Sequence, residues 1–432
     1  MTSDVPSDTV RPADTVPDVA QSTVDVAADA VGLAFAWPPP FVMPGARLPV
    51  EFIVVDGPQP DSVEVTASSS TQPLAASLNA AGQRWSVDVD VPAGWADSAV
   101  VVSASATTDG VTAPSISIAV PVATSLDVIE PDVVDAQRVV ALALEFGSGD
   151  DQVGIHYPEF EGEVSVPNSV QIDPATGNFV ILDSVTRRLL IAAPTGEVVD
   201  RIDLSGEGWL DDLVVLGDTG RAMVSEFRAG GGQLEVSAHL ARLEDGTATV
   251  DGPFVIPPPP TPPIGTELVW NEALDAVFAK VYDPATDRVG YYRLFDTARE
   301  ELDVSLMPEF WWNARVEQDQ AAVGFEYNNA GIFTRLPHGS VGVSNMIVRP
   351  DNSTVWSAGT VDWGAEPGAQ VHYYLGRTDP ACGSSVIAEI EFSALSELGT
   401  RSMIADDSGV YVVDIGANYQ LLQCQLGSPT CP

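Results

Sequence analysis

Oxygen-bearing side chains recur at the starts of short apolar runs in the second half of this sequence. Asn168 precedes "SVQID", Asp212 opens "DLVVL" after Asp211, Glu267 opens "ELVWN", and Asn345 opens "NMIVR". Two further runs, "RVEQD" and "SMIAD", carry Ala314 and Ser402 at the corresponding place. A ring of Asn, Asp and Glu oxygens can seat a hard cation such as Ca²⁺, which takes about six to eight oxygen ligands. Plain solvation of a wet channel mouth collects the same residue types, so a bound ion would separate the two readings. Near the same run starts stand Trp209 and Trp311, with Arg315 and Arg401, while Trp363 flanks the loop "SAGTVDWGAEPG". Exposed indoles suit stacking against a sugar or peptide, and the arginines suit an anionic group; packing and ion pairing are the bland alternatives. His156, His239, His338 and His372 show no paired metal-ligand spacing and read as lone surface or packing residues. No Gly-x-Ser-x-Gly elbow supports serine catalysis.

Three cysteines, Cys382, Cys424 and Cys431, fall in the last fifth of the chain. One disulfide and one free thiol is the simplest count. Cys424 and Cys431 flank the short loop "QLGSPT" and are the expected bridge; Cys382 reaching the C-terminal strand is the alternative.

These residues must be held by β-structure, because the sequence predicts almost no helix. The 432 residues hold 61 Asp plus Glu against 19 Lys plus Arg, a net charge of −42, and Lys280 is the single lysine. Such a surface excludes nucleic acid and anionic lipid as partners, since both are bound by neutralising phosphates. Salt adaptation and an acidic extracellular protein of a GC-rich genome explain the charge equally well. No run approaches the ~20 apolar residues of a membrane helix, and no signal peptide follows Met1. Residues 1–30, rich in Asp, Pro, Thr and Val, are expected to be disordered. They resemble the spacer behind the lipid-bearing cysteine of bacterial surface lipoproteins, which implies a lipid anchor in a longer precursor.

Residues 31–125 alternate polar and β-branched residues in runs such as "LPVEFIVVDG", "QRWSVDVDV" and "SISIAVPVA". The pattern predicts a small two-sheet sandwich with Trp85 in its core. The stretch resembles bacterial immunoglobulin-like modules. A linker over 126–137 follows.

From 138 to 432 the rhythm changes. In "VQIDPATGNFVILDSVTRRLLIAAPTGEVVDRIDL" four short strands are separated by "PATG", "SVTR" and "PTG" turns, the pattern of one β-propeller blade. Six such units are expected, over 166–204, 209–256, 266–308, 312–340, 341–395 and 396–426; seven also fit the rhythm. "RVVALALEF" (138–146) is placed to supply the outer strand of the last unit and close the ring. "PPPPTPP" (257–263) cannot lie inside a strand and reads as a stiff loop.

"FGSGDDQVG", Pro167, "VQID", Gly177, "FVILD" and Arg188 together resemble an NHL repeat over roughly 146–204, and "SGVYVVDIGANYQLLQ" (408–423) echoes it. Asp183 and Arg188 sit where that family places its Asp and Arg, a structural pair in which Asp caps backbone N–H groups and Arg lies across the hairpin. The expected fold class is therefore all-β, an immunoglobulin-like sandwich followed by a β-propeller. The expected function is that of a secreted or cell-surface binding module for a protein, peptide or glycan. Resemblance to gluconolactonase- and paraoxonase-type propellers implies an alternative, a divalent-metal hydrolase or lactonase using Asn168, Asp212, Glu267 and Asn345. A structural surface-assembly subunit is the third reading.

Overall fold

The computed structural model describes residues 31–36, 42–78, 84–97, 99–122, 128–156, 166–167, 169–230, 233–256, 266–271, 276–283, 288–294, 301–302, 311–317, 320–327, 330–337, 341–348, 353–362, 370–379, 383–391, 403–406, 409–427 and 429. Among these the regular structure is entirely β.

The N-terminal part is a two-sheet sandwich. One sheet orders Gly32–Ala36, Arg47–Asp56, Arg84–Asp90 and Ser77–Leu78; the other is built on Ser62–Ala67, Ala99–Thr108 and Ile116–Pro121. Strict alternation in "SVEVTA" buries every second side chain, Val63, Val65 and Ala67. These meet Leu48, Val50, Phe52 and Val89 of the facing sheet in one core, and Trp85 lies in it as expected.

Among the described residues, the remaining strands fall into six sheets that follow one another along the chain. Their first strands are Ser169–Ile172, Trp209–Val215, Thr266–Asn271, Trp311–Glu317, Val341–Val348 and Met403–Asp406. Within each sheet successive strands pair antiparallel, as meanders do. First strands contact one another between sheets one and two, two and three, four and five, and five and six, and the sixth returns to the first. The chain is thus a β-propeller array preceded by a sandwich.

Face-to-face packing between neighbouring sheets makes the core. Ile404, Tyr411, Val413, Tyr419 and Leu421 of the sixth sheet interleave with Val170, Phe179, Ile181 and Leu190 of the first. Val180, Leu182 and Leu189 of the first meet Leu210, Leu213, Val224 and Ala241 of the second. Because both faces of the middle strands are covered, "FVILD" and "RLLIA" are buried at every position, which is why they read as continuous apolar runs rather than alternating ones.

Within the linker expected over 126–137, two short strands dock on the array. Val128–Ile129 pairs parallel with Phe333 and Thr334 on the outer edge of the fourth sheet. Asp132–Val133 does the same with Val386 and Ile387 of the fifth, and Val134 donates its N–H to Ile387 O at 2.8 Å. Gln137–Leu144 then runs antiparallel to Tyr419–Gln425 as the outer strand of the sixth sheet, as expected from "RVVALALEF". Glu130 reaches Arg335 at 2.8 Å. This strap crosses three sheet edges in succession, a placement that the short "VI" and "DV" runs gave no pattern to reveal.

Candidate functional site

The best-developed polar site lies at the start of the second ring sheet. Glu226 is a charged residue inside the buried stretch 222–227 of the strand "RAMVSEFRAG" and is 1% exposed. Five donors converge on its carboxylate. Glu207 N–H donates at 3.0 Å and Gly208 N–H donates more closely still. His239 Nε2 lies 2.6 Å away, and the guanidinium groups of Arg187 and Arg228 stand at 3.3 and 3.4 Å. Burial alone would raise the Glu226 pKa; the Gly208 N–H, the His239 hydrogen bond and the Arg187 charge outweigh it, so the carboxyl lies below its ordinary range.

The same groups fasten the loop that leads into the sheet. Arg187, in left-handed backbone conformation at φ 59°, donates to Gly208 O and to Ser205 O. Gly206 and Gly208 let the loop lie directly on Glu226. A Cβ on Gly206 would fall 2.3 Å from Glu226 Oε2, and one on Gly208 2.2 Å from Phe227 O. The next residue, Trp209, is 75% exposed, the one aromatic among the large apolar side chains left exposed in the described residues. Its backbone pairs with Phe227, so the indole stands on a loop clamped on both sides.

Asp212, expected at a cation seat, clamps neighbouring sheets together. Its Oδ1 accepts from Ser169 Oγ of the first sheet at 3.0 Å and from its neighbour Leu213 N at 2.8 Å. Its Oδ2 accepts from Leu268 N of the third sheet at 2.7 Å. A single buried carboxylate thereby joins the first strands of three sheets. Glu267 is exposed, and its backbone is in register with that of Lys280 on the next strand of the third sheet. Among the described residues no cluster of three or more His, Cys, Asp or Glu is arranged to hold a metal ion. Trp311 and Arg315 lie on the fourth sheet's first strand and Asn345 on the fifth's. Asn168, Trp363, Arg401 and Cys431 lie outside the described residues.

Other expectations resolve in detail. Asp183 and Arg188 form the anticipated hairpin pair: Arg188 Nε donates to Asp183 Oδ2 at 3.3 Å, and Asp183 also accepts from Gly154 N at 2.9 Å and Thr186 N at 3.1 Å. His239 and His372 are not lone. Each meets a glutamate at 2.6 Å, Glu226 and Glu389 respectively, while His156 is exposed and His338 lies outside the described residues. Burial, helped by the Glu389 charge, pushes the neighbouring Tyr374 phenol up to about 12. Cys424 is a free, buried thiol packed between the fifth and sixth sheets, and burial pushes it up to about 11 against the pull of Arg138. The expected bridge to Cys431 is therefore not among the described contacts.

Sequence reasoning missed Glu226, Arg187 and Arg228, and underrated His239. The available signal was Glu226 itself, since a carboxylate in the middle of a buried run must be paired. The partner could not be named without the register that sets Val224 opposite His239 and Glu226 opposite Ser237.

No protein-family model and no curated protein matches this chain. Several solved structures are distantly similar. The β-propeller domain of Cps50 (Swd1) from Myceliophteria thermophila shares 9% identity, covering 66% of this chain and 99% of that one with a TM-score of 0.32. A member of the duf4221 family from Bacteroides vulgatus shares 9% identity over 68% and 94% of the two chains, TM-score 0.26. A 1.5-MDa bacterial ice-binding adhesin shares 12% over 84% and 97%, TM-score 0.18. Likeness at this level carries no argument about activity.

Proposed function

We propose that this chain is a secreted or cell-surface binding module whose ligand, a glycan or peptide, docks on Trp209 at the rim of the propeller array. The observation that carries the reading is the 75% exposure of Trp209 on a loop fixed by Glu226 and Arg187. An indole left in water costs hydrophobic free energy, and a rigid aromatic presents contact area with little ordering entropy left to lose on binding. In this proposal the sandwich over 31–125 is an immunoglobulin-like stalk and the array over 138–432 an NHL-like recognition disc. The Asp183–Arg188 hairpin pair and the two-sheet sandwich core support those assignments.

Glycan and peptide arrays probed with the full chain and with Trp209→Ala test it. A central aromatic anchor contributes about 2 kcal/mol or more, so the variant is expected to bind array ligands at least thirtyfold more weakly. Its melting temperature should match the wild type, because an exposed side chain packs against little. Equal binding by the variant, or no ligand on either array, would overturn the proposal.

A further inference from the structure

We propose that the strand Gln137–Leu144 is an open pairing edge that accepts an extended, basic segment of another protein as an additional strand of the sixth sheet. The strand is the terminal member of its sheet, with Tyr419–Gln425 on its inner side and no strand paired on its outer side among the described residues. Terminal strands present unpaired N–H and C=O groups, and folded proteins usually guard them with charge, proline or shortness.

The other outer edges of the array carry those guards. Val198–Asp203 of the first sheet exposes Asp200, Arg201 and Asp203. Thr247–Ile256 of the second contains Asp251, Gly252 and Pro253. The outer strands of the third, fourth and fifth sheets, Glu301–Leu302, Val128–Ile129 and Asp132–Val133, are two residues each. Gln137–Leu144 is eight residues long, and from Val139 to Leu144 it holds neither a charge nor a proline. Its one cation, Arg138, is drawn aside to donate to Glu391 O at 3.0 Å. Val139 and Val140 are 60% and 51% exposed, and Val133, just upstream on the strap, is 70% exposed. A register shift between Val140 and Leu142 is the strand's only irregularity.

Charge selects the occupant. Exposed Asp132 and Asp135 precede the strand and exposed Glu145 follows it, on a chain of net charge −42. A second copy of this chain would bring the same sign to the edge and be repelled. A segment alternating β-branched residues with Lys or Arg would complete the ladder, cover Val139 and Val140, and meet the flanking carboxylates.

The test uses the full chain and a short synthetic peptide of alternating valine and lysine, followed by calorimetry and by hydrogen exchange. A peptide of the same composition with two central prolines cannot add a strand and serves as the electrostatic control. The alternating peptide should bind, slow amide exchange within 137–144, and leave the other outer strands unprotected. The control peptide should bind at least about tenfold more weakly. Val139→Lys with Val140→Lys, a guard of the usual kind, should weaken binding of the alternating peptide by a similar factor. Should that variant melt early, exchange and the control peptide on the wild type still decide. Equal binding of the two peptides, or protection that spares 137–144, would overturn the proposal. So would salt-induced self-association that protects 137–144, which would assign the edge to a second copy.

Discussion

Replacing Glu226 should loosen one loop and leave the array standing. In Glu226→Ala the N–H groups of Glu207 and Gly208 and the Nε2 of His239 lose their acceptor, and Arg187 loses the carboxylate that holds it. An unsatisfied buried donor costs about 1–3 kcal/mol, but water can re-enter a loop, so the individual costs do not simply add. The range for breaking a buried charge pair, about 3–5 kcal/mol, bounds the total. If about 4 kcal/mol falls on local opening, exchange of the Glu207–Trp209 amides should accelerate roughly a thousandfold in peptide-resolved measurements. Glu226→Gln keeps the shape and one acceptor oxygen and should show an intermediate effect. The pH dependence gives an independent check. The folded carboxyl titrates below its ordinary value of 4.5, so its stabilisation is complete above that value and is lost as pH falls through the lower folded one. Wild-type loop protection should fade over that acid window, and Glu226→Gln should show no such fading. Loop exchange unchanged in Glu226→Ala, or acceleration spread evenly over all six sheets, would refute the reasoning.

Two further outcomes follow from packing and burial. Gly376→Ala would place a Cβ 2.0 Å from Cζ2 of the fully buried Trp356, so this indole must leave its slot and its Nε1 bond to Thr378 Oγ1 at 3.0 Å; a melting temperature lowered by several degrees and an altered near-ultraviolet dichroism are expected, and an unchanged spectrum would contradict the packing. Cys424, with its thiol pushed up to about 11 by burial, should resist a thiol reagent at mild alkaline pH and react at once after unfolding; rapid labelling of Cys424 in the native chain would contradict its burial.

Strand rhythm was legible because it rests on local chemistry. In "DPATG" Gly177 takes φ 73° and donates its N–H to Asp173 O at 2.7 Å, a turn fixed by its own few residues. The outer strand "RVVALALEF" could be paired with the last sheet because a ring must close. Positions that depend on distant register stayed hidden. Asp212 has the composition of a cation ligand, and only the placement of Ser169 and Leu268 beside it turns its oxygens into a clamp. The same holds for the glutamates whose side chains meet His239 and His372, since no local pattern sets which strands lie side by side. Val128–Ile129 and Asp132–Val133 carry too few residues for any periodicity, so their parallel docking was unreadable.

The strap also sets an order of events during synthesis. Gln137–Leu144 leaves the ribosome long before its partner Tyr419–Gln425, with the first three sheets and every antiparallel strand of the fourth and fifth between them. At about 5–20 residues per second this least guarded strand waits on the order of tens of seconds before it can pair. Pairing across so long a stretch of chain closes late and gives the array its slowest contact. Throughout that interval, the carboxylates that outnumber basic residues 61 to 19 keep nascent copies apart. The acidic composition thus protects the unfinished chain as well as the finished one.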